Sequence, residues 1–93
     1  MANPEKAKLL ALLATLRSNL EAEPAAPLVS QALHQCERLH QSIEQFHAEG
    51  LRFSAFTLLR LMQQPGAVLS DSTREASRQL KDALDAAGYI HAH

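Results

Sequence analysis

The sequence predicts an all-α protein, a small four-helix bundle arranged around a buried third helix. Three observations point there. The chain is rich in Leu, Ala, Gln, Glu and Arg, which are good helix formers, while Val, Ile and Thr are few. Apolar residues return every three or four positions through most of its length, which is the period of one helix face. Prolines and glycines stand between these stretches rather than inside them. With 93 residues there is room for one domain. Aromatic residues make up 4% of the chain and there is no Trp, so the core has to be built from Leu and Ala.

The first helix is expected over 4–22. Asn3 suits the N-cap and Pro4 the first helical position. Leu9, Leu13, Leu16 and Leu20 recur at intervals of 4, 3 and 4, and Leu10 and Leu12 widen the stripe. The segment Glu23–Pro27 (EPAAP) is a hinge, because two prolines three apart cannot sit inside one helix. Pro27 then opens a second helix expected over 27–49, with Gly50 as its stop. Val29, Ala32, Cys36, Leu39, Ile43 and Phe46 form a heptad-like seam along it. At 1.5 Å per residue such a helix is roughly 34 Å long, extended for a monomer whose radius of gyration should be about 12 Å.

The third helix is expected over 51–64. Its segment LRFSAFTLLRLM is apolar on nearly every side, which calls for cover all round. Twelve residues are too few to span a bilayer, which takes about 20. Pro65-Gly66 supplies a turn. Ser72-Thr73-Arg74-Glu75 reads as a capping box for a fourth helix over 73–87, with Ala76, Leu80, Ala83 and Ala87 on one face and Leu84 beside it. Gly88 closes that helix, Tyr89 and Ile90 fold back on its last turn, and residues 91–93 form a flexible tail.

The net charge of −1 gives no broad basic surface for nucleic acid or anionic lipid. The N-terminal MANPEKAK lacks the apolar core of a secretory signal, and a single cysteine rules out an internal disulfide. A cytoplasmic protein of bacterial type is the expectation.

Chemistry-bearing constellations are sparse. Cys36 and His40 are one helical turn apart, but a zinc site takes three or four ligands, and His34 and His47 do not join them. Cys36 lies within the apolar seam, a poor setting for a nucleophilic thiol. The three glycines stand singly, so there is no phosphate loop. The carboxylate pairs Asp82/Asp85 and Glu21/Glu23 read as surface charge. No enzyme, metal or cofactor is predicted.

Two readings of function remain. The favoured one is action through protein–protein contact, as an adaptor, regulator or inhibitor. Helices 1 and 2 carry more apolar surface than a chain this small needs. Leu9, Leu13, Leu16, Leu20, Val29, Leu39 and Ile43 are therefore the candidate contact residues, completed by a second copy in a homodimer. The alternative rests on Arg74, Arg78 and Lys81, which share one face of helix 4. The segment from FTLLRLMQQPG to LDAAGYI resembles the helical part of winged helix-turn-helix domains. The resemblance implies a DNA-binding regulator in which those three cations touch phosphates.

Overall fold

The computed structural model describes residues 4–89. It contains four helices: α1 (Pro4–Ala22), α2 (Pro27–Glu44), α3 (Ala48–Met62) and α4 (Asp71–Ala86). No strand occurs among the described residues. The radius of gyration is 12.4 Å, as expected for a compact chain of this length. No described helix is long and apolar enough to cross a membrane.

Each helix packs antiparallel on a neighbour. Lys6 pairs with Glu44 at 3.4 Å and Arg17 with Glu37 at 3.2 Å, so the start of α1 lies beside the end of α2. These pairs are exposed and contribute little energy, but they mark the register. The lateral order is α3, α2, α1, α4. α2 lies along α3 and α1 along α4, while α3 and α4 meet only slightly and α1 does not pack on α3. The centre of the bundle is thus the α1–α2 pair.

Leu9, Leu13, Leu16 and Leu20 of α1 are buried, as are Val29, Ala32, Cys36, Leu39 and Ile43 of α2. With Leu51, Ala55 and Leu58 of α3 and Ala76, Leu80 and Leu84 of α4, most of them form one continuous core. Each fully buried leucine contributes about 2 kcal/mol of transfer free energy.

Two boundaries depart from the sequence reading. α2 ends at Glu44, five residues before the expected stop, so it is about 27 Å long. The chain turns at Phe46, whose φ of +53° lies in the left-handed region. The Phe46 N–H donates to the Ile43 carbonyl at 3.2 Å and the His47 N–H to that of Ser42 at 2.9 Å. This is the hydrogen-bond pattern of a Schellman motif with Phe where Gly is usual. Gly50 does not stop α2. It sits in the first turn of α3, where its N–H donates to His47 Nδ1 at 2.9 Å. A Cβ on Gly50 would lie 2.7 Å from that nitrogen and 2.9 Å from Ser42 Oγ, so the close approach of the two helices requires glycine.

The fourth helix begins at Asp71 with Ser70 as its N-cap, two residues before the expected box. Glu75 caps nothing and pairs with Arg78 and Gln79. Besides Asp71 in the first turn, a second acid reaches this N-terminus from the hinge. Glu23 Oε2 accepts from the Ser70 N–H at 2.9 Å, from Ser70 Oγ at 2.9 Å and from Thr73 Oγ1 at 2.6 Å. These bonds satisfy the buried Thr73 hydroxyl and hold the Glu23 carboxyl below its usual range, the Thr73 bond contributing most. At the far end α4 closes in a second Schellman motif. Gly88 has a φ of +83°, and the Tyr89 N–H donates to the Leu84 carbonyl at 3.0 Å. Tyr89 folds back against the core as expected. Asn3, Ile90 and residues 91–93 lie outside the described residues.

Candidate interaction surface

The third helix is not covered all round, contrary to the reading of its sequence. It lies at one flank of the bundle, and α2 shields only its inner side. Leu51, Ser54, Ala55, Leu58, Leu59, Leu61 and Met62 are buried there. The opposite side holds Glu49, Arg52, Phe53, Phe56 and Arg60, all exposed. Phe53 is 63% exposed and Phe56 62%. Two phenylalanines one turn apart thus stand in solvent between arginines, on a protein that buries its leucine stripes. Among the described residues, no side chain pairs with Glu49, Arg52 or Arg60. Their charge is therefore available to a partner.

The apolar letters of this segment are plain in the sequence, and all-round apolarity by itself reads as burial. The missing information was position in the bundle. A flank helix has one main neighbour, and what it does not bury there stays exposed.

The residues expected to bind a partner lie elsewhere. Leu9, Leu13, Leu16, Leu20, Val29, Leu39 and Ile43 are between 0 and 8% exposed and sit within a single chain. Their stripes are fully used by the packing of α1 on α2 and α4 and of α2 on α3, so the folded chain presents none of them to another molecule.

The helix-4 cations form no free row. Arg74 donates to the carbonyls of Leu69 and Ala67, both at 3.3 Å, and so ties down the connector before α4. Arg78 pairs with Glu75 and, at 3.1 Å, with Asp82. The Glu75 hydrogen bond raises the Arg78 pKa and lowers that of Glu75. Lys81 is half-buried beside them. Arg78 is thereby partly neutralised as a phosphate ligand, while Arg74 keeps its charge but commits donors to the connector.

Cys36 is buried at 1% exposure, and desolvation pushes its thiol up to about 12. His40 lies on the exposed side of α2 with Nε2 3.8 Å from Glu44 Oε1, and His47 caps α3. Among the described residues, no three of His, Cys, Asp and Glu converge on a point where a metal could bind.

A second apolar feature is a groove of about 490 Å³ between the hinge and the α3–α4 connector, lined by Pro24, Ala26, Leu28, Pro65 and Val68. Val68 is 90% exposed at its rim. No charged side chain lines it, and Gln64 is its one polar side chain, fewer than the convergent polar groups that orient a ligand.

No protein-family model matches the chain, and no curated protein or solved structure matches it either.

Proposed function

We propose that this protein acts without catalysis of its own, as a small cytoplasmic helical module that works by protein–protein contact through the outer face of α3. The observation that carries this reading is the exposure of Phe53 and Phe56 side by side between unpaired arginines. Aromatic residues and arginine are enriched where binding energy concentrates at interfaces, and lysine is depleted there. This face has two aromatics, two arginines and no lysine. A buried free thiol suits a reducing cytoplasm.

The test is a photo-crosslinking residue placed at Phe56 in one protein and at the exposed Gln31 in another, each irradiated in the host cell. A discrete adduct from position 56 that is missing from position 31 supports the reading. No adduct at 56, or the same pattern at both positions, overturns it.

A further inference from the structure

We infer that the partner of the α3 face is a second copy of this chain, docked antiparallel with its two-fold axis between Phe53 and Phe56. The inference rests on the contact role proposed for that face. It comes from a symmetry in the face itself. Glu49, Phe53, Phe56 and Arg60 follow one another at intervals of 4, 3 and 4, which reads the same in both directions. At about 100° per residue the four lie within an arc of about 60°, opposite the buried side. The spacing is that of a helix–helix seam.

An isologous interface requires each residue to meet its complement, and the complement to meet it in return. An antiparallel pair centred between residues 54 and 55 meets this condition at every position of the stripe. Phe53 falls against the partner's Phe56, and Phe56 against the partner's Phe53. Glu49 at the start of one helix falls against the partner's Arg60 at the end of the other, and the reciprocal pair closes at the opposite end. The two charged positions are eleven residues apart, about 16 Å along the axis, so both ion pairs form in the same register. Arg52 lies on one edge of the stripe, and the two-fold brings the partner's Arg52 to that same edge, offset by about 7 Å along the axis, so these two cations flank the seam and do not enter it. A parallel pairing would instead set Glu49 against Glu49 and Arg60 against Arg60.

All four stripe residues are exposed in the single chain, and Glu49 and Arg60 have no side-chain partner among the described residues, so docking breaks no contact already made. One 15-residue helix against its copy is a small interface, of the size that gives reversible dimers.

The experiment is sedimentation equilibrium of the full chain from about 5 to 500 µM, with four variants. The unchanged chain should be a reversible dimer in the micromolar range. Glu49→Arg sets Arg against Arg at both ends and Arg60→Glu sets Glu against Glu, so each alone should weaken dimerisation about tenfold or more. The double variant Glu49→Arg/Arg60→Glu restores opposite charges and should dimerise like the parent. An equimolar mixture of the two single variants should form a heterodimer, since each supplies what the other lacks. Phe53→Ser/Phe56→Ser should be monomeric, and circular dichroism should show every variant still helical.

A chain that remains monomeric at 500 µM overturns the inference, as does a dimer indifferent to the charge reversals or one not rescued by the double variant and the mixture. The photo-adduct at position 56 separates this failure from failure of the contact role. An adduct with a different protein, together with a monomeric chain, sinks the dimer alone. No adduct removes both.

Discussion

The inner face of α1 and the outer face of α3 carry similar apolar weight in sequence and opposite fates in the structure. α1 presents four leucines at helical spacing, and all are buried because α1 has a helix on either side. α3 presents two phenylalanines at the same kind of spacing, and both are exposed because α3 has one main neighbour. An apolar stripe measures demand for cover. Whether the demand is met depends on how many neighbours the helix has, which the stripe does not record.

Four measurements sharpen or break this contrast. The largest effect is expected from thiol labelling. Cys36 is buried with its pKa raised, so it should react only when the protein unfolds. A chain with Phe56→Cys and Cys36→Ala should label at least about a thousand times faster than the parent, given the usual population of the unfolded state. Equal rates would mean that α2 opens locally. Next comes Leu16→Ala, which empties a fully buried site and should cost about 3 kcal/mol in a urea titration. In the same titration, at concentrations where the chain is monomeric, Phe53→Ala should stay within about 0.5 kcal/mol.

The Glu23 contact should show a smaller, pH-dependent loss. Its folded pKa lies below the ordinary carboxylate value of 4.5. Its contribution is therefore fully present above that value and disappears as pH falls through the folded pKa. Glu23→Gln should be less stable than the parent at pH 7 and should reduce the acid dependence of stability below pH 4.5. Parallel pH profiles would show that the three bonds contribute nothing. The smallest comparison lies at the α2–α3 corner. Phe46 bears a left-handed backbone that glycine adopts without strain, but its ring lies 4.9 Å from Lys6 Nζ. Phe46→Gly should be about 1 kcal/mol more stable than Phe46→Ala, and the parent should fall between or near them. If the alanine variant is the more stable, the corner does not need φ above zero.

Much of the architecture was legible. The extent of α1, the break at EPAAP, Pro27 at the start of α2 and the core leucines all follow from spacing and proline chemistry. The corner at Phe46 was not legible, because Gly50 three residues later looks like the natural terminator. The actual stop uses a residue type that rarely adopts this conformation. The N-cap of α4 was displaced because Ser70, Asp71 and Ser72 are all competent caps, and a carboxylate from the distant hinge favours the first. The candidate surface was hidden for a related reason. Its palindrome of Glu, Phe, Phe and Arg was present in the letters, but only the placement of α3 at the flank shows that it faces outward.

The Glu23–Ser70 contact joins positions 47 residues apart, with α2 and α3 lying between them along the chain. Closing it before those helices fold back would carry the loop-closure entropy of the whole intervening segment. The α2–α3 hairpin, by contrast, needs only a three-residue turn and should assemble early. The latch is thus a late event in folding and an early one in unfolding. Acid that protonates Glu23 should speed the unfolding rate and leave the folding rate nearly unchanged.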